Sequence, residues 1–183
     1  MEKTPKGDQP EAERLVSLFI ATSLDGFIAS QNGGIDWLFH DQDYGYTAFY
    51  ASVDTVLTGR KTFDVSLSFS KDPFKGKQTF VFTRSEKKSP LPGSEFIYSD
   101  PVEFTRKLKA EPGGKIWLLG GGQINGLLMK AGLIDEIVMS IHPVVIGRGI
   151  PLFDRETGVC GYTLAGSNVF DTGLAQFIYR KNR

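Results

Sequence analysis

Residues 115–124, Lys115-Ile116-Trp117-Leu118-Leu119-Gly120-Gly121-Gly122-Gln123-Ile124, decide the reading of this chain. An apolar run of strand length ends in three glycines. A helical pattern starts at once, reaches about Lys130 and is stopped by Gly132. Glycine lets a backbone approach a ligand closely. A helix start offers unpaired N–H groups and the positive end of a dipole. Together they suit an anion.

The same order recurs at Val56-Leu57-Thr58-Gly59-Arg60-Lys61-Thr62, where Arg60 and Lys61 add charge and Thr62 adds a hydroxyl. Two such sites at the carboxyl ends of strands in one sheet could hold the phosphates of a dinucleotide. The glycines alone are equally compatible with tight turns that let a helix pack on a sheet. Neither stretch matches G-x-G-x-x-G or the P-loop pattern. A third stretch, Thr83-Arg84-Ser85, sets an arginine between hydroxyls, which suits a phosphomonoester or a plain solvated strand end.

Outward from these stretches, apolar runs predict strands at 15–21, 54–58, 78–83, 96–98 and 135–142. Helices are predicted over 43–52 and from Asp100-Pro101 to about Lys109, the second with proline in its first turn. Residues 66–77 read as a loop. The runs 162–170 and 175–179 read as a closing antiparallel pair. Strands and helices alternate first and strands pair directly at the end. The expectation is an α/β fold with a mixed, mostly parallel sheet and an antiparallel C-terminal edge. It forms one domain, 14–183, behind a flexible tail, 1–13.

The chain has 183 residues, 40% of them hydrophobic, enough for a sizeable core. Basic and acidic residues balance at 21 each, which argues against a nucleic-acid or anionic membrane surface as the main partner. One cysteine, Cys160, excludes an internal disulfide and a multi-cysteine metal site. The two histidines, His40 and His142, are far apart in sequence. They read as a surface and a structural residue, and no metal is expected. No run reaches the ~18 apolar residues of a membrane span. Residues 1–13 lack the apolar core of a signal peptide, so a cytoplasmic location is expected.

Read in order, Leu24-Asp25-Gly26-Phe27-Ile28-Ala29, Trp37, Thr58-Gly59-Arg60-Lys61-Thr62-Phe63, Thr83-Arg84, Leu119-Gly120-Gly121-Gly122, Asp135-Glu136-Ile137 and residues 143–153, from Pro143 to Phe153, form a specific set. The set resembles the dihydrofolate reductase-like superfamily. More narrowly it resembles the branch of the C-terminal reductase domain of bifunctional riboflavin biosynthesis proteins. The likeness runs from about Leu15 to Lys181.

The resemblance implies a three-layer α/β/α dihydrofolate reductase-like fold, an NADPH-dependent oxidoreductase and a homodimer. Its contact surfaces would be the loop 66–74 or the closing strands. It implies that Gly59, Arg60, Lys61 and Thr62 meet the cofactor phosphates, Arg60 taking the 2′-phosphate. Thr83, Arg84 and Ser85 line the adenosine side. Gly120, Gly121, Gly122, Gln123 and Ile124 take the pyrophosphate. Ala21, the segment from Asp25 to Ile28, and Ile35 lie near the nicotinamide.

At the substrate end, Trp37, Asp41 and Asp43 are the catalytic candidates, although both carboxylates also suit helix capping. The usual W-x-L-P spacing is absent, since Leu38 follows Trp37 directly. The zinc-deaminase elements of the bifunctional proteins are absent too. The implied substrate is a riboflavin-pathway pyrimidine, as in 5-amino-6-(5-phosphoribosylamino)uracil reductases, or a pterin such as dihydrofolate. A phosphorylated substrate would call on Arg148, Lys71 or Lys75. The second reading is a non-catalytic NADPH-binding module that keeps the fold.

Overall fold

The computed structural model describes residues 13–85, 91–154 and 156–182. The expected tail therefore lies outside the described residues, Glu13 excepted. Six strands run parallel: β1 (Val16–Thr22), β3 (Val53–Gly59), β4 (Gln78–Phe82), β5 (Ser94–Ile97), β6 (Lys115–Gly120) and β7 (Glu136–Ile141). β9 (Tyr162–Val169) and β10 (Ala175–Lys181) close the sheet antiparallel, in the order β5-β4-β3-β6-β1-β7-β10-β9. A separate ribbon pairs β2 (Phe27–Ser30) with β8 (Gly149–Pro151).

Side chains alternate across the sheet and build a core on each face. Leu18, Leu57, Phe80, Phe82, Ile116 and Leu118 face α3 (Pro101–Lys109) and α4 (Gly122–Lys130), which contribute Leu108 and Leu128. Their alternates, Val56, Val81, Phe96 and Trp117, face α1 (Tyr46–Ser52) and α2 (Arg60–Phe69), which contribute Phe49 and Phe63. The architecture is the expected three layers, with helices on both sides of a mostly parallel sheet.

Three local differences from the sequence reading have physical causes. α2 runs to Phe69 instead of stopping before Ser66, because Phe63 and Leu67 sit one turn apart and pack on the same cluster. α1 starts at Tyr46, later than the expected 43, because Tyr44 (φ 48°) and Gly45 (φ 79°) hold left-handed backbone that no helix continues through. β8 has only three residues, too few for a pattern, and exists because Gly149 allows close approach: a Cβ there would lie 2.2 Å from Ala29 O.

Buried charges fasten the amino ends of the strands. Arg14 Nε donates to Gly114 O (2.7 Å) and Nη2 to Thr55 Oγ1 (2.7 Å), with Asp54 alongside. Lys109 pairs with Asp135 (2.6 Å), which also accepts from Val16 N (2.8 Å). Lys115 and Ser17 both donate to Glu136 Oε1. The opposite, carboxyl end of the sheet is left to loops and helix starts.

Phe63 is fully buried between α2 and the sheet. Phe63→Ala is expected to lower unfolding stability by about 3–5 kcal/mol, read from the midpoint of a urea titration.

Candidate functional site

β3 and β6 are neighbours, and the helix after each leaves for a different face of the sheet. Such divergence opens a crevice beyond the carboxyl ends of the strands. Gly59 and Gly120 stand at its two rims, in register through Thr58. A Cβ on Gly59 would lie 3.3 Å from Ile124 Cγ1. Gly121 N donates to Thr62 Oγ1 at 3.0 Å, joining the start of α4 to the first turn of α2. The two glycine stretches singled out from sequence therefore meet at one place. The Gly120–Gly121 peptide is cis.

The helix starts here differ from that of α3. α3 is fully capped: Asp100 Oδ1 accepts from Val102 N (2.9 Å) and Glu103 N (3.0 Å), and Glu103 adds an acidic charge. α2 and α4 have no side-chain cap and no acidic residue in the first turn. Their leading N–H groups and dipole ends stay uncompensated by protein, both beside the same crevice.

Arg60 Nε donates to both carboxylate oxygens of Asp64 (2.8 and 2.9 Å), and its guanidinium lies 4.8 Å from the Phe96 ring centre. Phe96 belongs to β5, so the charge reaches across the end of β4. Thr83, Arg84 and Ser85 leave the same strand end, where Ser85 N donates to Thr83 Oγ1. Lys61 is exposed.

On the other side of β6 the sheet opens. β1 pairs with β6 only through Leu18↔Leu118, yet pairs with β7 up to Thr22↔Ile141. Above that level the ladder between β1 and β6 stops, and Phe19–Thr22 and Leu119–Gly120 face each other as unladdered edges. Backbone N–H and C=O groups in such a split are available to a ligand. Ala21 lies on this edge. Trp117 Nε1 closes the bottom, donating to Phe19 O at 3.4 Å. Residue types alone give no signal for this split, because it depends on where a ladder ends.

The β2–β8 ribbon flanks the crevice. Asp25, in the turn from β1, accepts from Ser23 Oγ (2.6 Å), Ile146 N (3.2 Å) and Gly147 N (2.7 Å). It thereby ties the turn before β2 to the loop before β8. Gly122 carries no Cβ because one would lie 2.4 Å from Pro151 O. Buried Asn125 donates from Nδ2 to Leu152 O (3.0 Å), and Asp154 N donates to Gly122 O (3.1 Å). The sequence marks Asp25 within the segment Asp25 to Ile28 but gives no signal for Asn125 or Asp154, whose partners lie far along the chain. Ile28 lies in this ribbon, and Ile35 accepts from Leu38 N in the following turn.

Trp37 and Phe39 pack edge-on against buried His142, with ring centres 5.2 and 5.0 Å away. His142 N donates to Thr22 O, so Trp37 stands near the end of β1. Trp37 Nε1 and His142 Nδ1 are buried without a hydrogen-bond partner among the described residues. Burial pushes the His142 pKa down.

The carboxylates sit at the head of α1. Asp43 Oδ1 accepts from Thr47 N (2.9 Å) and Thr47 Oγ1 (2.6 Å), a capping arrangement, and the hydroxyl bond holds its pKa below the ordinary value. Asp41 accepts from Tyr44 Oη (2.7 Å). No cluster of metal-ligating side chains occurs among the described residues. A shallow depression of about 500 Å³, lined by residues 77–80 and 93–95, lies at the amino ends of β4 and β5, away from every helix start described above.

The Ser23 hydroxyl, followed by the Ile146 and Gly147 amides, lowers the pKa of Asp25 below 3.8. A depressed carboxylate stabilises the fold above its unfolded pKa and loses that effect as pH falls through the folded one. Asp25→Asn is therefore expected to lower the melting temperature at neutral pH and to flatten its fall below about pH 4, measured by thermal scans from pH 7 to pH 2.

No helix among the described residues is long and apolar enough to cross a membrane. The model of the RibD C-terminal domain family matches residues 14–175. The chain is 35% identical to the uncharacterized protein YyaP of Bacillus subtilis, over 93% of this chain and 96% of that protein. A solved structure from Shewanella sp. PV-4, described as a riboflavin biosynthesis protein, superposes with a TM-score of 0.81 at 31% identity, covering 92% and 99% of the two chains. Dihydrofolate reductase from Enterococcus faecalis, solved in complex with NADP(H), shares the fold: TM-score 0.70, 17% identity, 92% and 97% coverage. This chain has the fold of that reductase. Its glycine-led crevice and ordered motifs, together with a family match over residues 14–175, make it a member of the RibD C-terminal domain family.

Proposed function

We propose that this chain is an NADPH-dependent reductase of a small heterocyclic substrate. The substrate is a riboflavin-pathway pyrimidine of the 5-amino-6-(5-phosphoribosylamino)uracil type or a pterin such as dihydrofolate. The observation that carries the reading is the pair of uncapped helix starts, α2 and α4, joined at one crevice by the Gly121–Thr62 hydrogen bond. The residues present fit a dinucleotide. Gly59, Gly121 and Gly122 let the loops around the crevice close on Ile124, Thr62 and Pro151, where a side chain would collide, and the free helix N–H groups match a pyrophosphate.

In this reading Gly120–Ile124 hold the pyrophosphate and Lys61 and Thr62 add to its field. Arg60 takes the 2′-phosphate with its two terminal nitrogens, which have no partner among the described residues, while Asp64 and Phe96 fix its direction. Thr83, Arg84 and Ser85 border the adenosine. Ala21, with the backbone edges of the β1/β6 split, and Ile28 and Ile35 border the nicotinamide. When bound, the cofactor supplies a hydride. The chain's own work is to orient the two partners and keep water out.

In this reading Trp37, Asp41 and Asp43 form the substrate end, with Asp41 accepting from Tyr44 Oη and Asp43 doubling as a cap. Assembly as a homodimer belongs to the same reading.

The occupied state of Asp43 favours one alternative, a cofactor-binding module that retains the fold without catalysis. It predicts NADPH binding without oxidation against any pyrimidine or pterin.

NADPH is expected to raise the melting temperature well above what NADH does. A charge-assisted bond to a phosphate contributes about 1.5–3 kcal/mol. Arg60→Ala should therefore weaken NADPH binding roughly tenfold or more and leave NADH binding nearly unchanged. Equal responses to the two cofactors in the unaltered protein would remove the 2′-phosphate assignment. NADPH consumption with a pyrimidine or pterin separates enzyme from module.

A further inference from the structure

The floor of the split between β1 and β6 is aromatic, and α1 stands over it. Phe19 and Trp117 form that floor, joined by the bond from Trp117 Nε1 to Phe19 O. Both side chains lie on the face of the sheet that carries α1. Ala21 is two residues beyond Phe19 on the same strand and points to the same face. A ring bound against Ala21 therefore has one flank turned to α1.

Tyr46, Phe49 and Tyr50 follow the spacing that shares one side of a helix. Phe49 is buried and stacks on Phe19 at 4.3 Å between ring centres. Tyr46 opens the helix and meets both floor residues edge-on, Phe19 at 6.2 Å and Trp117 at 5.9 Å. Tyr50 leans on it at 5.5 Å. Three rings thus hold the Tyr46 ring, yet the residue is 40% exposed.

The two hydroxyls of this wall differ. Tyr50 Oη donates to Lys75 O (2.9 Å), and its ring carries the Lys77 ammonium at 4.5 Å. Tyr46 Oη has no partner among the described residues. Burial, followed by the neighbouring Tyr50, pushes the Tyr46 pKa above the ordinary 10.0, so the phenol keeps its proton at neutral pH. The carboxylates at the head of α1 are engaged, Asp41 by Tyr44 and Asp43 by Thr47.

We propose that Tyr46 is a catalytic residue whose Oη hydrogen-bonds the nitrogen or oxygen of the substrate's reducible C=N or C=O bond and passes its proton to that atom. The proposal rests on the reductase reading above and names the proton donor of the same site. The hydride of NADPH forms the new C–H bond, the π pair of the double bond moves to the heteroatom, and the heteroatom takes the Tyr46 proton. NADP+ and a Tyr46 phenolate remain, and a proton from solvent restores the phenol. A phenol that releases no proton to water still yields one to the far stronger base that hydride arrival creates.

The test is stopped-flow NADPH oxidation by the full chain between about pH 6 and pH 10, with dihydrofolate and 5-amino-6-(5-phosphoribosylamino)uracil as probes. NADPH binding is followed on the same samples by tryptophan fluorescence. Tyr46→Phe should bind NADPH as the unaltered protein does and slow the oxidation step by about a hundredfold or more. Its remaining rate should fall in proportion to proton concentration, because solvent then supplies the proton. The rate of the unaltered protein should stay level until the phenol ionises. Replacing Tyr46 by 2,3-difluorotyrosine, which keeps the ring and acidifies the phenol, should move that alkaline fall to lower pH. Tyr50→Phe should leave the rate unchanged. Tyr46→Phe at full rate, or an alkaline fall that the fluorinated ring leaves in place, overturns the role of Tyr46 while the reductase reading stands. Unaltered protein that oxidises NADPH with neither probe overturns that reading, and the role of Tyr46 with it. If Tyr46→Phe does not fold, the fluorinated protein decides.

Discussion

The hydrogen bond from Gly121 N–H to Thr62 Oγ1 fastens together two helices that lie on opposite faces of the sheet. It can form only because the chain has no side chain where the two loops converge. A Cβ on Gly121 would stand 3.0 Å from that same oxygen, and one on Gly120 would stand 2.7 Å from Asn125 Oδ1. The contact fixes how far apart the starts of α2 and α4 can be. That spacing decides whether their uncapped N–H groups act on one ligand or on two. Everything proposed for the crevice depends on it.

Around this contact the rest of the molecule divides by function along the strand direction. Ion pairs and buried polar bonds at Arg14, Lys109 and Lys115 tie the amino ends, where irregular backbone would otherwise fray. The carboxyl ends carry few such ties. There the β1–β6 ladder stops early, and the β2–β8 ribbon is held by Asp25, Asn125 and the side-chain-free Gly149 and Gly122. A base tied by charge beneath a rim of loops and helix starts is the arrangement a ligand site on a parallel sheet calls for.

Much of this was legible in the residues. The run 115–119 and its glycines gave a strand, a turn and a helix start because a doubly buried parallel strand is apolar without interruption. Asp100-Pro101 gave a capped helix because both capping and the proline act within a few residues. What stayed hidden depends on distant partners. The length of α2 came from Leu67 finding the Phe63 cluster. The split above Leu18 is a property of two strands a hundred residues apart. Asp43 offered a cap and a proton carrier with equal force, and Thr47 shows the cap formed. The phase of β9 turns on one extra residue, Ala165, that no alternation pattern marks.

The central claim is that one dinucleotide spans the crevice between β3 and β6, with its reactive ring at the parting of β1 from β6. The most direct measurement is a crystal structure of the protein soaked with NADPH. The account predicts the pyrophosphate within hydrogen-bond distance of the backbone N–H groups of residues 122–124, the 2′-phosphate against Arg60, and the nicotinamide between Ala21 and Gly120. A cofactor bound elsewhere, or with its pyrophosphate away from both glycine loops, would contradict it.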